Sequence, residues 1–174
     1  MVNGIVLDSN VINYYFRFED NNEGEYEDYF NLIEMIIENK GIVFTRFTKA
    51  EWEQTNGHQR IKTWLTKLYR EKPLRIEELE EFTKIENRYK NHLKNTLGFP
   101  NDDRCFIDCA YNTNEKYIFT NDIDFFNPKE KDSDETRKLR IKNNRNSPVC
   151  KYLREKLHIT VGICDHCRSH FFPE

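Results

Sequence analysis

Two short apolar runs in this chain each end in carboxylates: Gly4 to Leu7 leads into Asp8, and Tyr117 to Thr120 leads into Asn121, Asp122, Ile123, Asp124 and Phe125. A brief, unbroken apolar run reads as a strand buried on both faces, the usual state of strands in a parallel sheet. The C-terminal ends of such strands share one edge, and ligands bind in the crevice there. Acids that follow two separate strands are therefore expected at one edge of one sheet. Few other placements keep both runs buried and both acids wet.

The intervening sequence supplies helices to cover such a sheet. After Asp8 the pattern reads as a polar turn. Tyr26, Tyr29, Phe30, Leu32, Ile33, Ile36 and Ile37 then recur at helical spacing over about 25–38, with Gly41 where a helix would stop. Ile42 to Thr45 reads as a second strand, and Thr48 stands at an N-cap position that puts Glu51 in a first turn. Two helices are expected at about 60–70 and 76–95, with no third strand evident between them. Pro100 and Asn101 start a further helix that carries Asp103, whose face it shares with Phe106, Ile107 and Ala110, while Asp102 is placed to cap. A short helix from Pro148 to Lys156 and a strand from His158 to Ile163 close the pattern. Strands alternating with helices give an α/β fold, a central parallel β-sheet flanked by helices on both faces.

At 174 residues the expected organisation is one domain, spanning 1–174, with a helical insertion at about 56–100 and a basic loop at about 127–148. Charged residues make up 33% and hydrophobic ones 37%, which fits a globular chain with a heavily charged surface. No apolar run approaches a membrane span and no signal peptide is evident, so no membrane partner and a cytoplasmic location are expected. The formal net charge of -3 gives no overall attraction to a polyanion. Nucleic-acid binding must then come from local patches. Arg137, Lys138, Arg140, Lys142, Arg145, Lys151, Arg154 and Lys156 form one, with Glu155 as the sole acid among them. Of these, Arg137, Arg140, Lys142 and Arg145 are the candidate substrate-binding residues, against a second reading as a solubilising loop.

Asp8, Glu51, Asp103, Asp122 and Asp124 are candidate ligands for one or two metal ions. Carboxylates crowded together repel unless a cation neutralises them. Hard oxygen donors suit Mg²⁺ or Mn²⁺. Cys150, Cys164, Cys167 and His170 are candidates for a separate structural zinc site, the middle pair forming a CxxC. Reduced thiols at the start of a terminal helix are the competing reading.

Four segments together resemble the PIN-domain nucleases, the family that includes VapC-type toxins. Ile5-Val6-Leu7-Asp8-Ser9-Asn10-Val11 looks like that family's first strand, and Thr45 to Glu51 like the segment supplying its second acid. Asp103 to Ala110 is similar to the helix of its third acid, and Phe119 to Phe125 to its last acidic segment. The chain departs from the pattern in its long stretch between Glu51 and Asp103, in the loop 127–148, and at Asp108, where a small apolar residue is usual. The resemblance implies a PIN-like fold and metal-dependent endoribonuclease activity, hydrolysing RNA to leave a 5′-phosphate. Asn10 would orient Asp8, a water or the scissile phosphate. It further implies an RNA substrate, an antitoxin protein partner if the chain is a toxin, and a homodimer. The rival readings are a non-catalytic PIN-like module binding RNA or protein, and a nuclease acting on DNA.

Overall fold

The computed structural model describes residues 1, 3–45, 58–71, 75–77, 83–129 and 147–173. Thr48, Glu51, Arg137, Arg140, Lys142 and Arg145, with most of the basic loop, lie outside the described residues.

The architecture is α/β. Strand β1 (Val6–Leu7) lies parallel to β4 (Tyr117–Phe119), and β4 lies parallel to β5 (Thr160–Gly162). Val6 stands opposite Ile118 and Leu7 opposite Phe119, while Tyr117, Ile118 and Phe119 face Thr160, Val161 and Gly162. A second parallel pair joins β2 (Val43–Thr45) to β3 (Arg75–Glu77). A single parallel bridge, Ile5 to Ile42, links the two sets, with Val43 N donating to Ile5 O at 3.3 Å. The order across this seam is therefore β3-β2-β1-β4-β5. Gly4 permits the close approach, because a Cβ there would collide with the Val43 side chain.

Strand side chains alternate between faces, and each face has its own core. Ile5, Leu7, Tyr117 and Phe119 pack against α1 (Ser9–Asn21), α2 (Glu27–Asn39), α3 (His58–Glu71) and α7 (Cys164–Phe171). Val6, Val43, Ile118 and Val161 meet the opposite layer. It is built from α5 (Arg104–Tyr111), α6 (Pro148–Leu157) and the end of α4 (Asn87–His92), which runs on as a π-helical turn over Leu93–Leu97. No helix among the described residues is long and apolar enough to cross a membrane.

Three local expectations are corrected. Residues 9–21 form α1, not a polar turn: Asp8 caps it by accepting from Asn10 N, and Val11, Ile12, Tyr15 and Phe16 supply a buried stripe. The expected helix over 76–95 gives way to strand β3, an extended segment at 83–86, and a helix beginning at Asn87. Pairing with β2 overrides a locally helical pattern there, and so supplies the third strand that was not evident. The helix expected to start at Pro100 and Asn101 starts at Arg104, so Asp103, and not Asp102, stands at the N-cap position just ahead of α5, where it makes no side-chain capping bond.

Asp108 has a clear place in the fold. It is buried on α5 and its Oδ1 accepts from Ile85 N at 2.8 Å. Asn112 at the end of the same helix donates to Thr83 O at 2.9 Å and accepts from Thr83 N at 3.1 Å. A small apolar residue at position 108 would leave the Ile85 N–H without this partner.

Candidate metal centre

The strand order reverses between β1 and β4, with β2 and β3 on one side of β1 and β4 and β5 on the other. A parallel sheet opens a crevice at such a reversal, beyond the strand C-termini. Asp8 is the residue after β1, and Thr120, Asn121 and Asp122 follow β4. Asp8 N still donates to Phe119 O at 3.0 Å, which holds the two strand ends together as they leave the sheet.

One buried hydroxyl organises this edge. Thr120 is fully inaccessible; its Oγ1 donates to Asp8 Oδ2 at 2.5 Å and accepts from Asp122 N at 2.9 Å. Asn10 supports the same carboxylate, with Nδ2 donating to Asp8 Oδ2 at 3.0 Å and Oδ1 accepting from Asn121 N at 3.1 Å. Ser9 Oγ adds a donor at 3.2 Å to Asp8 Oδ1. Asp8, 5% exposed, is thereby a buried carboxylate held by side chains from both strand ends.

Asp122 opens a 3-10 turn over Ile123–Phe125, and its Oδ1 accepts from Asp124 N at 2.9 Å. That turn brings the Asp124 carboxylate back beside that of Asp122. Asp103 completes the group from the start of α5. Oxygens of Asp103, Asp122 and Asp124 all lie within 4.8 Å of one another, and all three residues are half-buried. Two like unit charges at that separation repel by about 0.9 kcal/mol even at the dielectric of water. A divalent cation converts this repulsion into attraction, and an all-carboxylate donor set matches the hard ions Mg²⁺ and Mn²⁺.

The structure therefore brings Asp103, Asp122 and Asp124 into one cluster and places Asp8 and Asn10 in the adjoining hydrogen-bond network. Two participants were not singled out in the sequence. Thr120 stands inside a motif of acids, although a hydroxyl directly after a buried strand and two residues before an acid is a readable signal. Tyr29 lies on α2, where helical spacing marks it only as part of an apolar stripe. Its hydroxyl accepts from Asn121 Nδ2 at 2.7 Å and its ring stacks on Phe119, centroids 6.0 Å apart. Burial pushes its phenol up to about 12.

Cys150, Cys164, Cys167 and His170 do not converge on a zinc site. Cys150 belongs to the core on the α5/α6 face and donates to Phe125 O at 3.4 Å, whereas Cys164 and Cys167 are buried in the core on the opposite face. Burial pushes the Cys150 thiol up to about 11 and that of Cys164 up to about 12, and it raises Cys167 as well. These are protonated core thiols. His170 packs edgewise on Phe171, centroids 4.6 Å apart.

Compared with protein-family models, with curated proteins and with solved structures, the chain matches none of them.

Proposed function

We propose that this chain is a PIN-like, Mg²⁺- or Mn²⁺-dependent endoribonuclease. The observation that carries the reading is the convergence of Asp103, Asp122 and Asp124 at the switch point of a parallel sheet, beside the buried Asp8. Asp103, Asp122 and Asp124 would hold the ion, with Asp8 and Glu51 as further acids of the same edge. A divalent ion bound there supplies an activated water and charge stabilisation at the phosphodiester.

The chain's own residues provide placement. Thr120 and Asn10 fix the Asp8 carboxylate in one orientation, and the Asp122 turn fixes Asp124. Such pre-positioning lowers the reorganisation needed when a charged phosphate arrives. Arg137, Arg140, Lys142 and Arg145 are the proposed contacts to the substrate backbone. An antitoxin protein and a second copy of the chain are proposed partners on the family resemblance alone.

A non-catalytic module that binds RNA or protein is the second reading, and one observation favours it. The Asp8 carboxylate already accepts bonds from Thr120, Asn10 and Ser9, which is what a purely structural acid would do. Cleavage of RNA and of single-stranded DNA, assayed with Mg²⁺ or Mn²⁺ and again after chelation, separates the two. The nuclease reading expects metal-dependent cleavage of RNA that Asp8→Asn and Asp122→Asn abolish while the fold persists. Full activity in both variants would sink the proposed site, and metal-dependent cleavage of DNA alone would move the substrate class.

A further inference from the structure

A second concavity lies away from the acids, at the outer side of β5. It encloses about 240 Å³ between α6 and α7 and is lined by Cys150, Arg154, Thr160, Val161, His166 and His170. Because β5 ends the strand order, one of its backbone edges has no strand beside it among the described residues. Thr160 N donates to Lys116 O and Thr120 N donates to Gly162 O, so residues 160 and 162 spend their bonds on β4. In a parallel ladder the intervening residue points its N–H and C=O the other way, so those of Val161 turn toward the cleft.

Nitrogen donors dominate the lining. Arg154 comes from α6, and His166 and His170 come from successive turns of α7, with ring centroids 5.8 Å apart. The Tyr117 hydroxyl lies 3.1 Å from His166 Nδ1, which fixes that imidazole from behind. This packing requires Gly162, since a Cβ there would overlap the Tyr117 hydroxyl and sit 2.5 Å from His166 Nδ1. No carboxylate is among the described residues that line the cleft. A guanidinium, two imidazoles, an outward backbone N–H and the Thr160 hydroxyl suit a compact ligand with several acceptor oxygens and negative charge. The guanidinium of Arg154 in the lining disfavours a bare cation.

We propose that the cleft between α6 and α7 is a phosphate-binding site, taking either free phosphate or the terminal phosphate of an oligonucleotide. The site shares no residue with the acid cluster, so the proposal stands whether or not the chain is a nuclease.

The test is a titration of the 174-residue chain with inorganic phosphate in chelator, at constant ionic strength, followed by calorimetry and by the imidazole NMR resonances. Saturable movement of the His166 and His170 resonances is expected. Arg154→Gln and His170→Gln, both at exposed positions, should each weaken binding about tenfold or more, the scale of one lost charge-assisted bond. Melting curves check that both variants fold. A second arm compares a short 5′-phosphorylated oligonucleotide with its 5′-hydroxyl counterpart. Tighter binding of the phosphorylated form than of inorganic phosphate identifies the terminal phosphate as the source, and equal binding identifies free phosphate. The proposal is overturned by resonances that do not move, by affinity unchanged in both folded variants, or by a saturable response to zinc, titrated without chelator, with none to phosphate.

Discussion

Replacing Asp122 with Asn tests the acid cluster from two directions at once. Three carboxylates within 4.8 Å make three repelling pairs, and Asp122 belongs to two of them. Each pair costs about 0.9 kcal/mol at the dielectric of water and more where water is excluded. Physiological salt takes back part of this, since its Debye length is about 8 Å. Neutralising Asp122 should therefore relieve about 1–2 kcal/mol in the metal-free protein. The turn survives the change, because Asn keeps an Oδ1 to accept from Asp124 N. For a chain of this size each kcal/mol moves Tm by about 2–4 °C, so metal-free Asp122→Asn should melt about 2–8 °C above wild type. Excess Mg²⁺ should reverse that order. A ligand at a hundredfold its Kd stabilises by about 2.7 kcal/mol, and the variant, short of one ligand and one charge, gains little of it. Scanning calorimetry of both proteins in chelator and in Mg²⁺ reads all four values. The reasoning is refuted if the metal-free variant melts below wild type, or if Mg²⁺ raises both proteins equally.

Other substitutions probe the framework around the cluster. Thr120→Val keeps the shape but removes a bond to a buried carboxylate and orphans the Asp122 N–H, for an expected loss of about 2–4 kcal/mol in urea unfolding. Thr120→Ser should recover most of it, and equal losses in the two would show that the hydroxyl is not what matters. Gly162→Ala should cost about 1–3 kcal/mol through overpacking against Tyr117 and His166, and a neutral result would contradict the close packing of α7 on β5. Tyr29 has its phenol raised to about 12 by burial, from an ordinary value of 10.0. A raised folded value favours the neutral form, so this contribution is complete below pH 10 and is lost as pH climbs toward 12. Urea unfolding across that range should show a smaller alkaline loss for Tyr29→Phe than for wild type, and identical slopes would remove the assignment.

Asp8 and the Asp122/Asp124 pair were legible because each follows a buried apolar strand, and strand ends in parallel sheets have a fixed geometric meaning. The α/β alternation was legible for the same reason. Helix α1 was not, although Val11, Ile12, Tyr15 and Phe16 carry its periodicity, because Asp8 was read as the end of a strand without its second role as an N-cap. Strand β3 gave no signal. Arg75, Ile76 and Glu77 contain one apolar residue, and their strand character comes from pairing with β2. The cysteine spacing suggested convergence, but one sequence cannot show that the sheet separates Cys150 from Cys164 and Cys167. Thr120 was hidden for another reason. A hydroxyl shared between a carboxylate and a backbone N–H is a contact between distant strand ends, and neither its own neighbours nor its spacing reveals both partners.

The bonds from Asp108 and Asn112 to residues 83–85 also bear on how this chain can change length. Closing a loop costs entropy that grows only with the logarithm of its length, about 0.6 kcal/mol per doubling. Fastening the chain to α5 at Thr83 and Ile85 divides the connection between β3 and α5 into two independent spans. Residues gained or lost before Thr83 alter a span that already ends at a fixed post, and Asp103 stays in place. The span from Glu86 to Asp103 has no such slack, because α4 and its π-helical turn set both the distance and the angle at which the third carboxylate arrives. Length variation among chains built this way should therefore collect on the N-terminal side of Thr83 and be rare on the other.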